Sequence, residues 1–196
     1  NKREFEESMT IICPNPNQLP ENELIMEEAG KLADFLLASV QAPKMDEDYS
    51  GPVLIEGQPA AHMLCNSLFA GEGQLIAERQ ALIDNNDNVY FNPLENNLQR
   101  KFNKKILPAD ISISVYPRMQ EYNGIPLLGA SHIDYEGVVP PDTILLVEKG
   151  ILRDMMSTRI PTTVSKNSKG NYRMYASSFS VTTTQKPGVV HFSSSN

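Results

Sequence analysis

His62 and Cys65 are the first residues of this chain whose types and spacing invite chemistry. Three positions apart on a helix, an imidazole and a thiol share one face and can both reach a metal ion. The same pair also reads as a polar rim residue above a buried free thiol, because unpaired cysteine behaves as a small core residue. Cys65 as a nucleophile would take His62 as its base, although helix packing alone accounts for the pair. Asp134 and Glu136, on either side of Tyr135 and followed by Gly137, form a second candidate. They read either as a paired-carboxylate acid/base site or as a turn whose side chains accept backbone N–H groups. His132 and His191 each stand alone in strand-like surroundings and read as surface or hydrogen-bonded core histidines. Ser177 and Ser178, and Ser193 to Ser195, lack the Gly-x-Ser-x-Gly elbow of a serine hydrolase. Gly71-Glu72-Gly73 is not followed by the Gly-Lys-Ser/Thr of a nucleotide loop.

The elements that must hold these residues can be read from periodicity. Val53 to Ile55 is a short apolar run, Gly57 a turn, and Pro59 suits a first helical turn. Ala60, Ala61, Leu64 and Leu68 recur at helical steps, so one face of this helix is expected to be buried before Gly71 caps it. Upstream, Ser8 to Ile12 predicts a strand and residues 21–40 a helix with Ile25, Ala29, Leu32, Leu36 and Val40 as its buried stripe. Lys44 to Tyr49 reads as an acidic linker. Gln74 to Ile83 predicts a further helix, and residues 84–104, with seven Asn, a mobile loop.

From Ile111 the period changes to two. Ile111, Ile113 and Val115 face one way and Ser112, Ser114 and Tyr116 the other, as in a half-buried strand. Thr143 to Glu148 and Ile151 to Met156 flank Lys149-Gly150 and predict a hairpin. Ser165 to Asn171 reads as a polar loop, and Tyr172 to Thr184 as one or two strands. Helices early and antiparallel strands late make an α+β pattern, with the helices expected to pack on the sheet.

Several of these segments, in this order, resemble the TldD/PmbA family of metalloprotease-related proteins, the "modulators of DNA gyrase". Gly51-Pro52-Val53-Leu54-Ile55-Glu56 resembles the family's strand before a helix carrying His-Glu-x-x-x-His. Residues 19–48 resemble its preceding helix with the Gln41-Ala42-Pro43 exit, and residues 105–117 its Lys-Leu-Pro-then-strand segment. Asp134-Tyr-Glu-Gly-Val138, Leu145 to Leu152 and Arg173 to Ser178 resemble, respectively, its recurring turn, its hairpin and its late loop. Laid without gaps from Gly51, the family's first His falls on Cys65, its Glu on Asn66 and its second His on Ala70. The zinc motif is thus degenerate, since an amide is no general base and a methyl group ligates nothing.

The resemblance implies a non-catalytic family member, a pseudoenzyme without bound zinc. Its implied role is the motif-less partner of a zinc-bearing paralogue, or a homodimer, that admits unfolded, extended peptide. An active metallopeptidase with an atypical site, holding metal through His62, Cys65 and a ligand from sequence outside this chain, is the alternative. The resemblance divides the chain into residues 1–50, the end of an N-terminal α+β region, and residues 51–196, a C-terminal domain truncated at its end. The chain begins at Asn1 without methionine and reads as a fragment.

At 196 residues it has ample length for a core. A net charge of −7 disfavours nucleic acid as a direct partner. The basic run Arg100-Lys101-Phe102-Asn103-Lys104-Lys105 reads as a solvated loop or helix end. No apolar run reaches the roughly 18 residues of a membrane span. Two cysteines, Cys13 and Cys65, form no disulfide framework, so a reducing, cytoplasmic setting is expected.

Overall fold

The structure is a computed structural model that describes residues 4–11, 13, 15–44, 47–69, 74–77, 82–83, 89–91, 96–160, 162–176, 181–185 and 187–195. Two helices precede a mainly antiparallel sheet, so the chain is α+β. It divides into two compact units, Asn1–Leu54 and Ile55–Asn196.

In the first unit, a three-residue 3-10 turn at Pro16–Gln18 precedes helix α1 (Asn22–Gln41). Glu23 lies in the first turn, where the helix dipole favours a carboxylate. Lys31 pairs with Glu27 at 2.9 Å and Glu28 at 2.6 Å along the solvent side. Ile25, Leu32 and Leu36 are half-buried, but Ala29 and Val40 are exposed, so the expected buried stripe is not formed. No described strand or second α-helix belongs to this unit. Residues 8–11 are not a strand, and Ile12 lies outside the described residues. The expected strand at Val53–Ile55 is also absent. These side chains stand 68, 87 and 42% exposed, with no partner ladder to take their backbone groups.

The second unit opens with helix α2 (Gly57–Phe69). Ala60, Leu64, Cys65 and Leu68 are half-buried and Phe69 is buried, whereas Ala61 is exposed. Gly71 lies outside the described residues. Strands β1 (Leu82–Ile83) and β2 (Val89–Phe91) pair antiparallel. The described residues of 74–83, namely 74–77 and 82–83, are not helical, so the expected helix is not found there; residues 78–81 lie outside the described residues. The backbone of residues 74–77 is captured from outside the segment: Leu75 N donates to Leu68 O at 3.0 Å, Met156 N to Leu75 O at 2.8 Å and Ala77 N to Met156 O at 2.7 Å. The loop expected over 84–104 likewise contains structure, namely β2 and a 3-10 helix at Asn97–Lys101. Asn96 is the reason: its buried amide donates to the carbonyls of Gln74 and Ile76, and its oxygen accepts Leu98 N at 2.8 Å. Arg100, Lys101, Lys104 and Lys105 are exposed, while Phe102 packs against the core.

The principal sheet comes next. Strand β3 (Ile111–Tyr116) is followed by the small hairpin β4 (Glu121–Tyr122) and β5 (Ile125–Pro126), then β6 (Ile144–Glu148) and β7 (Ile151–Leu152). Strands β8 (Tyr172–Ala176) and β9 (Val181–Gln185) pair with each other, and β10 (Val189–Ser194) closes the described chain. The four-stranded order is β10-β3-β6-β7, antiparallel throughout. Ile113 and Val115 are fully buried, as their alternation predicts. A register shift between Ile113 and Ser114 lets β6 bury Ile144, Leu146 and Val147 together. Phe69, Leu75, Ile76, Ala77, Leu152, Met155 and Met156 complete the core. Between β7 and β8, Ser157 Oγ donates to Ser165 Oγ and Asn167 O, each at 3.1 Å, organising the polar loop expected there. Among the described residues, no helix is long and apolar enough to cross a membrane.

The β6–β7 turn has φ +47° at Lys149 and +78° at Gly150, the paired positive angles of a tight hairpin. A Cβ on Gly150 would also meet the carbonyls of Leu107 and Pro108. Gly150→Ala is therefore expected to lower stability by about 2–3 kcal/mol, from the left-handed backbone plus this collision. Urea denaturation measures it; an unchanged midpoint would remove the turn from the structural account.

Candidate functional site

The degenerate motif positions sit on α2. His62 is exposed, Cys65 half-buried and Asn66 exposed; Ala70 lies outside the described residues. Cys65 and Asn66 help line a cavity of about 500 Å³, with Leu64 and Phe69 on the helix side and Pro187, Gly188, Val190 and Phe192 opposite. Among the described residues, neither side chain makes a hydrogen bond there; Asn66 uses its backbone carbonyl to accept Gln74 Nε2 at 3.1 Å. Among the described residues, no three His, Cys, Asp or Glu side chains gather into a metal-holding group. His62 and Cys65 are zinc-type donors but only two in number, and a primary amide is not one of the usual zinc ligands. Cys13 and Cys65 are both free thiols.

Strand β10 borders a second cavity of about 600 Å³, lined by Tyr116, Met119, Tyr122, Leu127, Val189 and His191. Val190 and Phe192 contribute to both cavities, so the strand runs between them. Alternate side chains of β10 fall on the two faces of the sheet. Val190 and Phe192 stand opposite Val115 and Ile113 and pack on the core, while Val189 and His191 stand opposite Tyr116 and Ser114. The rings of Tyr116 and His191 lie 6.1 Å apart at 58°. Among the described residues, β10 pairs only with β3, leaving its other edge open.

Asp134 and Glu136 are not a paired-carboxylate site. Asp134 is buried, and its Oδ1 accepts Glu136 N and Val138 N, each at 2.9 Å. Its Oδ2 accepts Tyr172 N at 3.1 Å, which ties the turn to β8. Glu136 instead accepts Arg159 N at 2.7 Å. The capping reading is the one realised. His132 and His191 are both exposed, with His132 Nε2 placed 2.7 Å from Gln120 Nε2. Ser177 and Ser178 lie outside the described residues.

One residue with no local sequence signal emerges beside this turn. Arg173 on β8 is half-buried, and its Nη1 donates to Gly129 O at 2.7 Å while Nη2 reaches Pro117 O at 3.5 Å. Gly188 passes so closely that an added Cβ would lie 3.0 Å from Arg173 Nη2 and 2.9 Å from Pro117 Cα. Desolvation pushes the guanidinium pKa below its ordinary value, and the Asp134 charge partly opposes that shift. A cleft of about 290 Å³ opens here, lined by Ser131, Ile133, Asp134, Tyr135, Tyr172 and Arg173 among others.

No family model, curated protein or solved structure matches this chain.

Asp134 accepts three backbone N–H groups at once, which only a carboxylate with two free oxygens can do. Asp134→Asn turns an NH2 group toward one of these donors and is expected to cost about 1.5–3 kcal/mol. Thermal or chemical unfolding checks this. A change under about 0.5 kcal/mol, typical of an indifferent surface site, would remove Asp134 from its structural role.

Proposed function

We propose that this chain is a non-catalytic, peptide-holding member of the TldD/PmbA family, the motif-less partner of a zinc-bearing paralogue. The observation that carries the reading is the open edge of β10 between two largely apolar cavities. An extended peptide added to a sheet edge gains backbone hydrogen bonds, and its alternate side chains fall on alternate faces of the sheet. Beside β10, those faces lead to the cavity under α2 and to the cavity at Tyr116 and His191. Cavities of this size accept whole side chains. The sequence at α2 supports the non-catalytic half of the reading. Cys65 and Asn66 border the peptide's path without forming a donor cluster among the described residues. The reading places the protein in the cytoplasm, where two free thiols persist.

Expressed with a paralogue bearing His-Glu-x-x-x-His, the chain is expected to co-purify in equal amount. Hydrolysis of an unfolded peptide is expected only when both chains are present. Elemental analysis of this chain alone is expected to find zinc far below one per molecule. Pull-downs that return only homodimer would sink the partner role, and stoichiometric zinc in the isolated chain would sink the non-catalytic one.

A further inference from the structure

Arg173 is a half-buried cation that makes no ion pair among the described residues, although the Asp134 charge acts on it at longer range. A guanidinium carries five N–H donors. In Arg173, two of them reach protein acceptors, both backbone carbonyls, and the Pro117 contact at 3.5 Å is at the outer limit of a hydrogen bond. Its Nε is buried with no acceptor, and the side chain makes no ion pair among the described residues. Asp134, the acidic residue in the same cleft wall, already spends both oxygens on three backbone N–H groups. Carbonyl dipoles offset only part of the cost of desolvating a full charge; an anion offsets far more.

We propose that the cleft of about 290 Å³ beside Arg173 is a carboxylate-binding site, which takes a carboxylate of a peptide, whether its C-terminal group or an Asp or Glu side chain. A planar carboxylate matches the donor fork of a guanidinium. Tyr135 and Tyr172, with rings 6.5 Å apart, and the exposed Ile133 and Met174 offer apolar walls to the rest of the residue. The site goes beyond the strand-edge reading and does not depend on it, because it uses none of the β10 edge.

Three probes test it by calorimetry and NMR on the whole chain: N-acetyl-tyrosine, its primary amide, and N-acetyl-aspartic acid α-amide. At low salt, at least one acid is expected to bind about tenfold or more tighter than the amide, since a charge-assisted pair is lost with the carboxylate. Which acid binds distinguishes a terminal carboxylate from a side-chain carboxylate. Added salt is expected to weaken the acid and leave the amide unchanged. Arg173→Lys keeps the charge but loses the fork and is expected to abolish most of the preference. In the unaltered protein, the Arg173 Nε–H resonance is expected to move as the acid is added, a readout that needs no variant. Equal affinity for acids and amide, or an Nε–H resonance that stays still at saturation, would overturn the proposal while leaving peptide addition at β10 intact.

Discussion

Ile113 and Val115 on β3, with Leu146 and Val147 on β6, have no solvent-exposed surface, and the second unit is arranged around keeping them dry. Each such side chain contributes about 1.5–3 kcal/mol when fully buried. Fixing the backbone of one residue costs about 1–2 kcal/mol, so short connecting segments are ordered only where they share in that burial. The cover over this face is accordingly assembled from pieces: Phe69 at the end of α2, Leu75 to Ala77, and Met155 with Met156. The non-helical path of residues 74–77 is a consequence. Leu75 and Ala77 are fully buried and their backbones bond to the chain at Leu68 and Met156, which a helix there would forbid.

The same sheet places the cavities. Because β10 pairs with β3 in full register, Val190 and Phe192 must join the core side while Val189 and His191 face away. The open edge, the cavity against α2 and the cavity against Tyr116 are then three aspects of one strand's position. Its entry is held by a polar junction. Gly188 fits against Pro117 and Arg173, Arg173 reaches Pro117 and Gly129, and Asp134 binds the N–H of Tyr172, the neighbour of Arg173 on β8. Cation and carboxylate in this junction each hydrogen-bond backbone groups, and they act on one another only through their charges at longer range. Arg173 keeps a buried Nε–H without an acceptor among the described residues, and its side chain lines a cleft.

Some of this was legible in the residues alone. The strand at 111–116, the Lys149-Gly150 hairpin, the long helix near 22–41 and the paired strands after 172 follow from short-range periodicity and turn chemistry, which act within a few residues. The capping role of Asp134 was one of two open readings, and a local one, since two of its three bonds lie within four residues. The failures were of another kind. Residues 74–83 carry helix-compatible spacing, yet their backbone partners sit at Leu68 and Met156. Asn96 looked like loop composition, yet its side chain bonds to Gln74 and Ile76 some twenty residues away. Val53 to Ile55 had the composition of a strand but met no partner strand.

The amino-acid sequence by itself determined the α+β order of elements, the core face of β3 and the residue types that α2 carries. A thiol, an amide and a lone imidazole are what they are in any fold. Only the tertiary structure decided which strand edge stays open, that Cys65 lines an apolar cavity, and that Arg173 lies half-buried without an ion pair among the described residues. These depend on pairings between residues tens of positions apart, set by which surfaces exclude water together, and no local pattern of residue types encodes them.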